Sequence, residues 1–330
     1  MLNATKFSKE INLNTIPLTD MVINNITIAP GEKKEVIISR CELPGKSTLE
    51  VPAYIYRSVN PGPTVLFSAG MHGEETNGIE TIRQLLKRLD KQGPLCGTII
   101  AVPVFNVVSF IFNQRHLPDG KDLNRSFPGT RGGSLGSRLA YDIMHTVLPV
   151  IDFGIDFHTG GASINNYPQL RFVFDDPKSM EIAQYFEPPF IINAPYRDGS
   201  FRAEAAKTGK SILVFEAGES LRFNPIAIEE GVTGCMRLLN KLGMLPEVQP
   251  KGNPITIVRD KWIRADESGL FRTHKKFGSY FEKGDVLGTI GDPYNKSDLE
   301  LLAPEDGFII GLNNQPVVHA GDALLHLGFS

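Results

Sequence analysis

No basic run occurs in the 330-residue chain, and its 37 acidic side chains slightly outnumber its 34 Lys and Arg, giving a net charge of -3. Phosphate backbones are held by concentrated positive charge, so no nucleic-acid partner is expected. Cysteine is scarce: Cys41, Cys96 and Cys235 are odd in number, widely separated and never in C-x-x-C spacing. They read as buried or free thiols in a reducing compartment, neither a disulfide framework nor a thiolate zinc site. Long apolar runs are missing too. Val107 to Phe112 is far too short to cross a bilayer, and MLNATKFSKEINLNTIPLTD lacks the apolar region of a secretory signal. The expectation is a cytoplasmic protein with no membrane partner. What remains, 41% hydrophobic and 22% charged residues without a biased tract, is ordinary globular composition. The length allows one large domain plus a small one, and a homo-oligomer is compatible with it.

The patterning divides the chain near the Pro-rich segment PEVQPKGNP, residues 246–254. Before it, VINNITIAPGEKKEVIIS alternates like a strand pair around Pro30-Gly31, and TLEVPAYIYRS is a second extended stretch. Apolar strands are expected at PTVLFSAG, GTIIAVPVFN, VIDFGIDFHTG, LRFVFDD and SILVFEAGE. Helical patterns lie between or after them at GIETIRQLLKRLDKQG, SLGSRLAYDIMHTVL and NPIAIEEGVTGCMRLLNKLG. Such alternation predicts an α/β sheet covered on both faces, with functional groups at strand ends. Beyond the linker only short strands and Gly/Asp turns are evident, a β-rich domain in which EKGDVLGTIG and HAGDALLHLG resemble each other. The expected domains are residues 1–250 and 251–330.

The sharpest local signal is GMHGEE, which sets His72 and Glu75 three apart just after a buried strand. Gly70 and Gly73 permit a tight turn that can aim both side chains at one point. A catalytic zinc takes three protein ligands and keeps one open position. His158, beside glycines at the end of GIDFHTGG, is the best third ligand. The remaining histidines fit less well: His116 is in a polar loop, His145 in a helix, and His274, His319 and His326 in the C-terminal part. Asp156 shares the face of His158 and can orient a ligand. In RHLPDGKDLNRSFPG, Arg115, Asn124 and Arg125 are suited to a substrate carboxylate and a developing oxyanion. The competing reading of that loop is a solvated one with surface ion pairs. Glu216 ends an apolar strand and can serve as a general base, with Glu219 as competitor.

In order, G-x-H-G-x-E, R-x(n)-D-L-N-R-x-F-P-G, D-F-H-T and F-E-A-G resemble the succinylglutamate desuccinylase/aspartoacylase family, relatives of the zinc carboxypeptidases, over roughly residues 60–220. The resemblance implies a mixed-sheet α/β/α sandwich of zinc-carboxypeptidase type. It implies one Zn2+ held by His72, Glu75 and His158, a substrate carboxylate on Asn124 and Arg125, Arg115 polarising the scissile carbonyl, and Glu216 as base. The C-terminal part resembles a barrel-sandwich hybrid, as in biotinyl and lipoyl carriers. Lys296 falls about where a carrier lysine would, without the Met-Lys-Met of biotin acceptors. The expected partner is a small N-acyl amino acid or related N-acyl amine. A carboxypeptidase acting on short peptides and a non-catalytic metal or small-molecule binding protein are the alternatives. Tyr167, Arg171 and Arg197 are further candidates for the pocket lining.

Overall fold

Alternating residues of opposite character build the first strands of the computed structural model, which describes residues 19–294 and 298–330. Strands β1 (Met21–Ile23) and β2 (Ile26–Ile28) form a hairpin. Its turn is Asn24-Asn25, not Pro30-Gly31 as the sequence suggests. Both asparagines hold positive φ (47° and 62°), the left-handed conformation that a two-residue hairpin demands and asparagine tolerates. Pro30-Gly31 instead leads into β3 (Lys33–Glu42), which pairs antiparallel with β4 (Thr48–Arg57).

The central unit follows. Every residue of β5 (Thr64–Ala69), β6 (Thr98–Val102) and β7 (Phe153–Gly160) is buried. Each Val, Leu, Ile or Phe removed from water there contributes about 1.5–3 kcal/mol. Helices α1 (Thr76–Leu89), α2 (Val107–Ile111) and α3 (Leu135–Thr146) connect these strands. Next come β8 (Ile164–Phe172), α4 (Pro177–Phe186), β9 (Phe190–Asn193), α5 (Phe201–Lys207), β10 (Ser211–Glu219) and α6 (Pro225–Lys241). Strands β6, β5, β7 and β10 run parallel side by side, while β4 and β8 flank them antiparallel. One apolar cluster joins Ile82, Ile182 and Leu238 of α1, α4 and α6 to one sheet face. A second joins Val108, Leu139 and Phe201 of α2, α3 and α5 to the other. The result is a three-layered mixed α/β sandwich.

The linker ends in β11 (Ile255–Ile257), parallel to β9. Strands β12 (Arg259–Arg264), β13 (Gly269–Thr273), β14 (Tyr280–Phe281), β15 (Val286–Gly291), β16 (Asp298–Leu302), β17 (Gly307–Asn313), β18 (Val317–Val318) and β19 (Ala323–Phe329) complete the chain. They form two antiparallel layers around Phe271, Leu287, Leu301 and Leu325. The two resembling phrases, residues 282–291 and 319–328, each hold a turn and then a longer strand, β15 or β19, which lie in different layers. One layer, β12-β19-β17, continues the central sheet, because β17 pairs with β8. Lys296 lies outside the described residues. Among the described residues, no helix is long and apolar enough to cross a membrane.

Candidate metal centre

His72 follows β5 through Gly70, whose φ of +61° turns the chain out of the strand. Gly73 lies against the backbone of Ser109, so the loop sits tight on the sheet. Glu75 immediately precedes α1. His158 stands near the end of the neighbouring strand β7, beside Glu216 of β10 in register. Two parallel strand ends and one loop thus meet. One donor atom from each of His72, Glu75 and His158 lies within 4.8 Å of the others, and all three residues are buried.

The ring orientations are set from behind. His72 Nε2 is 3.0 Å from Asp122 Oδ1, and His158 Nε2 is 2.8 Å from Asp156 Oδ2. These carboxylates accept from Nε2–H, which turns the Nδ1 atoms toward Glu75, at 2.7 and 2.9 Å. Asp156 is itself fixed by Ser68, its neighbour in register on β5, whose hydroxyl donates to it at 2.7 Å. Burial opposes the charged form of both rings. The facing carboxylates outweigh it and raise His72 and His158 above the ordinary histidine range. Burial likewise penalises the Glu75 carboxylate, but the two imidazoles hold it well below the usual range. Two Nδ1 atoms and one carboxylate, with the imidazole backs already bonded, are a donor set that fits a divalent cation.

A cavity of about 460 Å³ opens beside this cluster. The loop before α3 supplies Arg115, Asn124 and Arg125 to its wall. Arg115 Nη2 donates to Asp122 at 2.9 Å, while Nη1 lies 3.3 Å from Glu75 Oε1. Asn124 Oδ1 accepts from the Phe201 amide at 3.0 Å. Its amide nitrogen carries the donors available to a ligand. Desolvation lowers the Arg125 pKa, with Arg197 and Arg115 adding to it.

Glu216 also lines the cavity, accepting from Asn166 Nδ2 at 2.9 Å. Glu219 does not; it accepts from Asn314 at 2.6 Å, held away from the cluster. Arg171 and Arg197 are in the wall, but Tyr167 packs its ring against Phe190 and Phe277 instead. The cavity-lining Asn166 and Arg171 of β8 have opposite parity, because the β8–β10 pairing shifts register between Asn166 and Gln169. Several groups escaped the sequence reading, among them Asn166, Asp260 and Trp262 of the cavity wall. Asp122 lay within the D-L-N-R motif but carried no signal of its own. His326, set apart for its place in the C-terminal part, lines the same cavity, because β19 continues the central sheet.

A sequence model described as the succinylglutamate desuccinylase/aspartoacylase catalytic domain matches residues 61–242, more than half of the chain. The N-alpha-acetyl-L-2,4-diaminobutyric acid deacetylase of Halomonas elongata is 27% identical over 279 residues, which cover 80% of this chain and 81% of that protein. The product-bound ectoine utilization protein EutE (DoeB) from Ruegeria pomeroyi has a similar fold, with a TM-score of 0.78 at 20% identity, covering 96% of this chain and 100% of that one. A succinylglutamate desuccinylase/aspartoacylase from Rhodobacter sphaeroides gives 0.75 at 26% identity, covering 90% and 94%.

Proposed function

Because the chain belongs to the succinylglutamate desuccinylase/aspartoacylase family, we propose that it is a zinc-dependent deacylase that hydrolyses the amide bond of small N-acyl amino acids. The observation that carries this reading is the convergence of His72, Glu75 and His158 within 4.8 Å at the wall of a cavity that also holds Glu216, Arg115, Asn124 and Arg125. In it, residues up to about 250 make the hydrolase domain, and the β-rich remainder borders its cavity through Asp260, Trp262 and His326.

His72, Glu75 and His158 would hold the metal. When bound, zinc supplies Lewis-acid polarisation of a carbonyl and lowers the pKa of water toward neutrality. Glu216 accepts the proton of the attacking water and returns it to the departing amine. Its carboxylate is oriented for this by the Asn166 amide. Arg115 donates to the oxygen on which charge develops. Asn124 and Arg125 bind the substrate carboxylate, which sets the distance from that anchor to the scissile bond. The products are a carboxylic acid and a free amino acid.

The test is metal analysis of purified protein, then turnover of N-acetyl and N-succinyl amino acids, with short peptides alongside, before and after chelation. One zinc per chain, loss of turnover on chelation and recovery on adding zinc are expected. Activity untouched by complete metal removal refutes the reading, and hydrolysis confined to peptides reassigns the substrate.

A further inference from the structure

The C-terminal strands meet the cavity along a single row. Cα partners run Trp262, His326, Gly311, Asn166 and Gly218 across β12, β19, β17, β8 and β10. Directly paired residues share a sheet face, so these five positions stand side by side. The middle position has no side chain. A Cβ on Gly311 would come within 2.8 Å of His326 Cβ and 3.3 Å of Asn166 Oδ1. Glycine therefore keeps a gap between the imidazole and the amide.

Both flanking side chains are held in one orientation. The His326 ring stacks on Trp262, with centroids 4.5 Å apart and planes 5° from parallel. Its Nε2 lies 2.5 Å from Asp260 Oδ2, which makes Nε2 the nitrogen that bears hydrogen. Asn166 gives its Nδ2 to Glu216, which fixes the amide so that Oδ1 is the free end. Two acceptors are left over. His326 Nδ1 and Asn166 Oδ1 are buried and have no hydrogen-bond partner among the described residues. Buried acceptors are bonded as a rule, and these two belong to neighbouring residues of the cavity wall. Burial lowers the His326 pKa although Asp260 pulls it upward, so Nδ1 keeps its lone pair at neutral pH.

We infer that His326 Nδ1 and Asn166 Oδ1 form an acceptor subsite that recognises a hydrogen-bond donor, best an amino group, on the side chain of the substrate's amino acid. The inference rests on the deacylase reading and adds a specificity element to it. An ammonium carries three donors and can serve both acceptors, a hydroxyl has one donor, and a methyl has none. The carboxylates of Asp260 and Glu216 favour the cation, while Arg171, 3.7 Å from Glu216, opposes it. The substrate carboxylate has its own place at Asn124 and Arg125. The two anchors together suit an N-acyl diamino acid.

The probes are Nα-acetyl derivatives of 2,4-diaminobutyrate, homoserine and norvaline, whose side chains have the same length and end in ammonium, hydroxyl and methyl. The expected kcat/KM falls in that order, with on the order of 10- to 100-fold between ammonium and methyl. In His326→Gln the new amide can still donate to Asp260 but the ring acceptor is gone, and the ratio should collapse to within about threefold. Calorimetric binding of the three free amino acids to the wild-type protein should follow the same order. That measurement needs neither turnover nor a folded variant. If no N-acyl compound is hydrolysed but the binding order holds, the deacylase reading fails and the subsite stands. Equal affinity for all three overturns the subsite, since water then satisfies the acceptors. A preference that survives unchanged in a folded His326→Gln protein overturns it as well.

Discussion

Asp122 lies 3.0 Å from Nε2 of His72, fifty residues away, and with its other oxygen accepts from Arg115 at 2.9 Å. One carboxylate therefore orients both His72 of the candidate metal cluster and the arginine beside it. It also accepts from the Asn124 amide at 2.8 Å, which starts the turn bearing Asn124 and Arg125. Asp122→Ala should weaken zinc binding by about 10- to 100-fold, the usual loss when a ligand's supporting partner is removed. Competition against a chromophoric chelator measures this, and an unchanged affinity would show that Asp122 does not tune the site.

Glu216→Gln preserves an oxygen for the Asn166 donor but cannot take up a proton. Turnover should fall by roughly 10²–10⁴-fold while the metal content stays at one per chain. Metal analysis and steady-state kinetics on the same preparation decide the matter. Full activity in the glutamine variant removes Glu216 from the base role.

Arg125→Ala should raise KM for an N-acyl amino acid by about tenfold or more, as expected for losing a charged hydrogen-bond donor. The signature is selectivity. The wild-type protein should prefer the acid over its primary carboxamide, and the variant should barely distinguish them. An intact preference places the carboxylate elsewhere.

Gly73 and Gly93 offer a structural comparison. A Cβ on Gly73 would sit 2.0 Å from the Ser109 carbonyl carbon, whereas one on Gly93 meets nothing within 4 Å. Backbone cannot step aside as a side-chain tip can. Gly73→Ala should cost about 3 kcal/mol, and Gly93→Ala should stay within about 0.5 kcal/mol of wild type. Denaturant unfolding of both variants supplies the test.

His326 carries a pH dependence of definite sign. Burial, the largest influence, holds its pKa below the free histidine value near 6.5, against the pull of Asp260. As pH falls below that value the unfolded chain takes up a proton that the folded chain resists, so folding loses stability through this residue. Above it both states are neutral and the effect vanishes. The Tm of the wild-type protein should therefore drop more than that of His326→Gln between pH 7.5 and 5.5. Parallel curves would mean that His326 titrates normally in the fold.

Much of the site was legible because its chemistry is local. Gly70 and Gly73 around His72, the glycines after His158 and the apolar run before Glu216 each mark a strand end, where a polar side chain has a reason to be. The D-L-N-R loop announced itself by residue type in the same way. Most central strands and helices α1, α3 and α6 followed from apolar periodicity, which such segments carry within themselves. The shorter α2, α4, α5 and β9 did not stand out.

Pairing across the sheet was not written in any one segment. Whether Tyr167 or its neighbours face the cavity depends on the register shift between β8 and β10, which alternation alone does not reveal. Glu216 and Glu219 differ in role because β10 shifts register between them against both neighbours. His326 enters the cavity wall only because β17 pairs with β8 and carries β19 alongside, a contact between segments more than a hundred residues apart. The chain's composition and local periods determined which residues can do chemistry and on what kind of element each stands. Tertiary structure alone decided which of them share one cavity, since hydrogen bonding between distant strands sets their neighbours and their facing.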